Sequence, residues 1–108
     1  MQKHPPALEL KALSATQVIA KLAQLDAWRL FGDGADVAIE KTFHFSSHLQ
    51  TMAFANAVAF LADACNHHPE LLIHGQRCSV RWNTHDVQGL SAKDFACATK
   101  VDALLNPD

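Results

Sequence analysis

The stretch ADACNHHPELLIHGQRCSVRW, residues 62–82, contains the end of a helical pattern, a proline and two strand-like runs in immediate succession. Pro69 lacks a backbone N–H and disfavours helical geometry at the residue before it, so the helix is predicted to end at about residue 66. LLIHGQRCSVRW then predicts a short strand, a turn at Gly75 and a longer strand to about Trp82. Two adjacent histidines, His67 and His68, therefore lie at or just beyond a helix end.

The long helix that leads into this stretch is apolar on two sides. Ser46 or Ser47 can cap its start, and the pattern continues to about residue 66. Its two stripes are Leu49, Ala53 and Phe60 on one side, and Phe54, Val58, Leu61 and Cys65 on the other. A helix with two apolar sides needs two covers, and we expect its own sheet on one side and another subunit on the other.

The segment before this helix predicts a helix followed by a strand, a turn and a strand. The first helix, from about 15 to 25, starts at Ser14, whose spacing to Gln17 is that of a capping box. WRLF, GDGAD and VAIEKTFHF then read as strand, turn and strand, in which Gly32 and Gly34 supply the positive φ angles of a tight turn.

The segment after the second pair of strands predicts a third helix. It starts at Ser91, whose spacing to Asp94 is that of a capping box with Asp in place of the usual Glu, and it ends before NPD. The order helix, two strands, helix, two strands, helix predicts an α+β fold with an antiparallel sheet. We expect one domain at residues 13–106, preceded by a loose lead-in at residues 1–12.

The composition argues against several classes of function. A formal net charge of -2 leaves no basic stripe for nucleic acid and does not favour attachment to an acidic membrane. The apolar runs are too short for a membrane span. Three cysteines at uneven spacing do not form a disulfide framework, and the start of the sequence lacks the pattern of a signal peptide. We therefore expect a reduced, cytoplasmic protein.

Seven histidines in 108 residues raise the question of whether some of them converge. A helix end and a loop after a strand can bring His67, His68 and His85 around one cleft. Imidazole titrates near neutral pH, so two such side chains can donate one proton and accept another. Asp63, one helical turn before His67, is placed to orient it. Asp94 either serves the same cleft or acts only as a helix cap.

A metal site is the alternative chemistry for these side chains. Cys65, Cys78 and the histidines include zinc ligands, but the sequence has no cysteines two residues apart and no HExxH motif. Adjacent helical side chains also diverge, so His67 and His68 would not easily share one ion. We predict acid–base chemistry without a metal.

Two motifs give the chain a resemblance to a known family. DACNHHPE at residues 63–70 and RCSVRWNTHDVQGLSAKDF at residues 77–95 resemble the hallmark of the pterin-4a-carbinolamine dehydratases. The resemblance covers roughly residues 10 to 105. It implies a single α+β domain, with a four-stranded antiparallel sheet and helices on one face, that assembles as a homodimer or tetramer. The implied activity is dehydration of 4a-hydroxytetrahydrobiopterin to quinonoid dihydropterin, with no metal or organic cofactor.

The resemblance also implies roles for individual residues. His67 and His85 match the general acid–base pair of the family, and Asp63 matches the acidic residue that supports the first histidine. Three further residues match positions that bind the pterin or wall its site, namely His68, Asp94 and Trp28. For Trp28, a position in the core fits the sequence equally well.

The chain departs from the family pattern after His-His-Pro. Aromatic residues are usual where this chain has Leu71 and Gly75; if the missing aromatic shapes the pterin pocket, affinity for the pterin falls. Some relatives of this fold are not dehydratases but assembly factors for the ribulose-bisphosphate carboxylase of carboxysomes. Two classes of function therefore stay open, a pterin dehydratase and a dehydratase-like protein that acts on a protein client.

Overall fold

The backbone runs in the order helix, two strands, helix, two strands, helix. A computed structural model of the chain describes residues 10–106, so most of the predicted lead-in at residues 1–12 lies outside the described residues. The helices and strands are α1 (Ala15–Leu22), β1 (Arg29–Phe31), β2 (Ala38–His44), α2 (His48–Cys65), β3 (Glu70–His74), β4 (Arg77–Trp82) and α3 (Ala92–Leu105). Short 3₁₀ helices, Gly34–Asp36 and His85–Val87, follow β1 and β4.

The four strands form one antiparallel sheet in the order β1-β2-β4-β3. β2 and β4 are its central pair, with Ile39 opposite Trp82. β3 pairs with the outer edge of β4, and the predicted turn between them contains Gly75. Gly75 has φ 58°, in the left-handed region where glycine is favoured. The predicted α+β class with a four-stranded antiparallel sheet is confirmed.

Alternate residues of the two central strands face the helices and form the core. The core includes Ile39 and Phe43 of β2, Cys78, Val80 and Trp82 of β4, Phe54 and Val58 of α2, and Phe95, Ala98 and Val101 of α3. Phe43 packs against Phe54 with ring centroids 4.7 Å apart. Burial raises the pKa of the Cys97 thiol to about 11, so this thiol stays protonated at neutral pH.

The sheet also carries a row of charges that spans all four strands. Arg29, Glu40, Arg81 and Glu70 are register neighbours on β1, β2, β4 and β3. Arg81 donates hydrogen bonds to Glu40 Oε2 at 2.6 Å and to Glu70 Oε1 at 3.0 Å. Arg29 donates to Glu40 Oε1 at 3.3 Å. The Glu40 side chain is buried, and the two arginines supply the opposite charge that a buried carboxylate requires.

Helices α2 and α3 begin at predicted caps, Ser47 and Ser91, but α1 is shorter than predicted. It ends at Leu22 rather than near residue 25, because the Leu25 N–H bonds to the Leu22 carbonyl, only three residues back. A positive φ of 65° at Ala27 then turns the chain into β1.

The connection between β1 and β2 is longer than the predicted tight turn. The ladder ends where Phe31 faces Ala38, so residues 32–37 form a loop that contains the first 3₁₀ helix. Gly32 and Gly34 do have positive φ angles, 76° and 61°, but Gly32 precedes this helical turn and Gly34 is its first residue, so the two do not close a two-residue hairpin.

The second apolar side of α2 is not covered by the rest of the described chain. Leu49 is 79% exposed and Phe60 is 80% exposed. This exposure is the feature from which we expected a second subunit, and the oligomer stays a prediction. Within residues 10–106, no helix is long and apolar enough to cross a membrane.

We predict that Ile39→Ala lowers the free energy of unfolding by about 2–5 kcal/mol, because it opens a cavity between the sheet and the helices. Leu30 is the matched control, since it is the register partner of Ile39 on β1 but is 48% exposed, whereas Ile39 is 0% exposed. Leu30→Ala should cost less than about 1 kcal/mol. Urea unfolding of both variants measures the difference, and equal losses would contradict this assignment of the core.

Candidate active site

The two adjacent histidines at the end of α2 contact different partners. Asn66 follows the helix in the left-handed conformation, with φ 51° and ψ 43°. Asparagine tolerates this conformation better than most residues do, and such a residue commonly ends a helix. The His67 N–H still bonds to the Ala62 carbonyl at 3.2 Å, but the helical phase is broken at Asn66. Pro69 follows and leads directly into β3.

His67 is held between a carboxylate and an aromatic ring. Its Nε2–H donates to Asp94 Oδ1 at 2.7 Å, and the imidazole stacks on the Trp82 indole with ring centroids 5.3 Å apart and planes 14° apart. The His67 side chain is 11% exposed, and Asp94 is fully buried. A proton fixed on Nε2 leaves Nδ1 as the nitrogen through which a neutral ring can accept a proton.

Asp94 also joins the start of α3 to the loop after β4. Its Oδ2 accepts the Ser91 backbone N–H at 3.0 Å and the Thr84 hydroxyl at 2.7 Å. Because the Thr84 hydrogen is donated to Asp94, the Ser91 hydroxyl can donate to Thr84 Oγ1 at 2.7 Å. The two alternatives for Asp94 are therefore not exclusive, since one oxygen caps α3 while the other orients His67.

The prediction that Asp63 orients His67 is wrong. Asp63 Oδ1 instead accepts from His68 Nε2 at 3.3 Å, and both side chains are exposed. The expected contact relied on four-residue helical spacing, and the left-handed Asn66 interrupts the helix before that spacing is complete. An exposed pair of this kind contributes little to stability.

Trp28 lies in the core rather than beside the histidines. It is buried, packs edge-on against Phe43 with ring centroids 6.1 Å apart, and donates from Nε1 to Asp102 Oδ2 at 3.0 Å. From the sequence alone, Trp28 could belong either to a wall of the site or to the core. The contacts support the core position.

The three histidines of interest converge on one cleft, which consists of two adjoining depressions. The smaller, about 280 Å³, has His67, His68 and His85 in its walls. The larger, about 630 Å³, shares His68, Asn83 and His85 with it. We call the two depressions together the histidine cleft. His85 reaches it from the 3₁₀ helix after β4, and His67 and His68 reach it from the end of α2.

Several residues of the cleft were not singled out by the sequence patterns. They include Arg81, Asn83, Thr84 and Lys93, which line the cleft, and Trp82, which is buried and stacks on His67. The strand alternation Cys78, Val80, Trp82 was a usable signal for a buried Trp82, but it does not show that a histidine from another element stacks on that ring. Among residues 10–106, no three His, Cys, Asp or Glu side chains are grouped so that they could hold a metal ion.

The two departures from the family pattern lie outside the histidine cleft. Leu71 is half-buried and packs against the core. Gly75 is in the β3–β4 turn, beside a separate depression that includes His44 and His74. A strand rises roughly 3.3 Å per residue, so the five residues of β3 separate Gly75 from Pro69 by about 16 Å or more.

Comparison with known proteins agrees with these motifs. The family model described as pterin 4 alpha carbinolamine dehydratase matches residues 11–104. The chain belongs to this family. A protein of Paracidovorax citrulli, provisionally named pterin-4-alpha-carbinolamine dehydratase, is 55% identical over 88% of this chain and 82% of its own length. A protein of Stenotrophomonas maltophilia with the same provisional name is 44% identical over 85% of this chain and 78% of its own length.

Two solved structures share the fold. The transcriptional coactivator/pterin dehydratase of Brucella melitensis has a TM-score of 0.80 and 26% identity, over 87% of this chain and 98% of that protein. A pterin dehydratase-like protein identified as a RuBisCO assembly factor in the alpha-carboxysome has a TM-score of 0.61 and 28% identity. That match covers 73% of this chain and 89% of the other.

We predict that Asp94→Asn releases His67 and destabilises the chain. An amide can accept hydrogen bonds only at its oxygen. The Asn side chain therefore leaves either His67 Nε2–H or the donors of Thr84 and Ser91 without an acceptor. The free energy of unfolding should fall by about 1–3 kcal/mol, the cost of an unsatisfied buried group. Nitrogen NMR of the histidine rings should show a fixed Nε2–H tautomer at His67 in the native protein and a mixture in the variant.

The matched control for this prediction is Asp63→Asn. It removes a carboxylate that also faces a histidine, but on the exposed surface, so its effect on unfolding should stay within about 0.5 kcal/mol. An Asp94→Asn protein with native stability and a native His67 spectrum would show that the Asp94 network does not hold the ring.

Proposed function

We propose that this protein dehydrates 4a-hydroxytetrahydrobiopterin to quinonoid dihydropterin by acid–base catalysis at the histidine cleft. The observation that carries the proposal is the convergence of His67, His68 and His85 on one cleft, with His67 oriented by the buried Asp94. Membership of the pterin carbinolamine dehydratase family supports the same reaction class.

The reaction needs one proton donor and one proton acceptor. The bond between C4a and its hydroxyl oxygen breaks, and the oxygen leaves as water after it receives a proton. N5 loses its proton, and the electron pair of that N–H bond forms the C4a–N5 double bond. No electron is gained or lost overall, so two groups that titrate near neutrality can complete the cycle between them.

We assign the acid–base pair to His67 and His85, and we assign pterin binding to His68. His67 has a fixed tautomer with Nδ1 left for proton exchange, and Asp94 holds the ring in position through a hydrogen bond from Nε2–H. His85 is exposed on the other element that borders the cleft, so it can return protons to water. His68 is the exposed neighbour, and its partner Asp63 acts on it rather than on His67.

The unit that carries out this reaction is proposed to be residues 13–106, acting in the cytoplasm as a homodimer or tetramer. The uncovered side of α2, with Leu49 and Phe60, supports self-association of this kind. The same side supports a second candidate function, the assembly of a protein client, because one structure with this fold is a RuBisCO assembly factor.

The test is the dehydration of freshly generated 4a-hydroxytetrahydrobiopterin by the native protein and by three variants. His67→Ala and His85→Ala should each lower the rate constant kcat by about 10²–10⁴, the usual contribution of a positioned acid or base. His68→Ala should chiefly raise KM, because it removes a binding contact. His74→Ala is the control, since His74 is an exposed histidine outside the histidine cleft and should leave both constants unchanged.

Circular dichroism of each variant separates loss of chemistry from loss of fold. A native protein that stays folded but only matches the uncatalysed rate would refute the dehydratase function. It would leave the assembly of a protein client as the function that the fold and the uncovered side of α2 support.

A further inference from the structure

The larger depression of the histidine cleft extends beyond the histidines to the β1–β2 connection. Its walls include Phe31, at the end of β1, and Asp36, in the 3₁₀ helix that follows, neither of which borders the smaller depression. Phe31 is 40% exposed and gives this part of the cleft an apolar surface. A bound ring whose reacting atoms face the histidines would therefore turn another edge toward these residues.

The other charged groups in this part of the cleft are already paired. The Arg81 guanidinium donates to Glu40 and Glu70 and stacks on the Phe31 ring, with its Cζ 3.6 Å from the ring centroid. Burial lowers the pKa of Arg81, but the hydrogen bonds to Glu40 and Glu70 together with their negative charges raise it above its usual value, so Arg81 stays charged. Glu70 is correspondingly occupied by Arg81.

Asp36 differs from Glu70 in having no such partner. None of the ion pairs or side-chain hydrogen bonds within residues 10–106 involves its carboxylate, and Asp36 is an exposed residue that lines the cleft. A carboxylate in the wall of a cleft, with free acceptor oxygens, is suited to a ligand that presents N–H donors.

The backbone on both sides of Asp36 is tied to the catalytic side of the cleft. The Asn83 side-chain amide donates to the Val37 carbonyl at 2.6 Å and to the Ala35 carbonyl at 3.2 Å. Asn83 comes two residues before His85, and it lines both depressions of the cleft. One side chain therefore fixes the position of Asp36 relative to the histidines, which is the rigidity that a recognition group needs.

We propose that Asp36 binds the aminopyrimidinone edge of the pterin, through the ring N3–H and the 2-amino group. These two N–H groups lie side by side on the ring and match the two oxygens of a carboxylate, as the parallel donors of an arginine do. A 2-oxo analogue of the pterin presents a carbonyl oxygen in place of the 2-amino group and would be repelled. Asp36 thus selects 2-amino pterins, an inference that rests on the proposed function.

The test compares the binding of two stable ligands, 7,8-dihydropterin and its 2-oxo analogue, to three proteins by titration calorimetry. The native protein should prefer the 2-amino ligand. Asp36→Asn should weaken its binding by about tenfold or more, the factor expected for losing a hydrogen bond to a charged group, and should remove most of the preference. Asp33→Asn is the matched control, because Asp33 lies in the same connection but not in the cleft wall.

Turnover gives a second readout. N3 and the 2-amino group do not take part in bond making, so Asp36→Asn should raise KM for the 4a-hydroxytetrahydropterin and leave kcat within about twofold. Native binding and native selectivity in Asp36→Asn would overturn this inference and leave the dehydratase function standing. A native protein that binds neither ligand and does not accelerate the dehydration would overturn both.

Discussion

The Asp94 carboxylate is the contact on which the geometry of the histidine cleft depends. It is fully buried, and its two oxygens receive donors from three segments that are distant in sequence: the end of α2, the loop after β4 and the start of α3. A buried carboxylate is costly unless its oxygens are satisfied. The need to satisfy both oxygens of Asp94 therefore keeps these three segments together, and it also keeps His67 in place.

A second set of hydrogen bonds, from Asn83, fixes the wall of the cleft that the β1–β2 connection forms. Asn83 fixes the connection before β2, as Asp94 fixes the end of α2, and only Thr84 separates Asn83 from the second 3₁₀ helix. The loop after β4 therefore carries an anchor to each wall, Asn83 to one and Thr84 to the other, and His85 follows directly after them. Polar side chains that bond to backbone carbonyls and carboxylates can give loops this precision without a large core beneath them.

Most of the fold was predictable because its signals are local. Pro69 restricts how far the helix can extend, Ser47 and Ser91 start helices, and Gly75 permits a turn, each through the conformation of one or two residues. The partners of the histidines were not predictable in the same way. Asp63 has the right helical spacing to reach His67, but a single left-handed residue, Asn66, changes which side chain it meets.

The cleft contacts outside the motifs depend on tertiary structure. The stacking of Trp82 on His67 depends on how α2 ends over β4, and the place of Asp36 depends on a loop that the glycine pattern presented as a tight turn. Spacing along the sequence contains no information about either contact, because the elements that meet are far apart in the chain. Motifs can therefore identify the histidines, while their electrostatic surroundings must be read from the structure.

The fold also separates the two regions to which the two proposed functions are assigned. The proposed reaction uses the C-terminal end of α2 and the loop after β4, whereas the uncovered apolar residues Leu49 and Phe60 lie along the side of that helix. Gly75 is in the opposite turn of the hairpin, so a missing aromatic there alters neither the histidines nor the residues that hold them. A chain of this fold can change its helix surface or its turn for a protein partner while the acid–base cleft keeps its geometry, since the two regions share the helix but not the contacts that fix them.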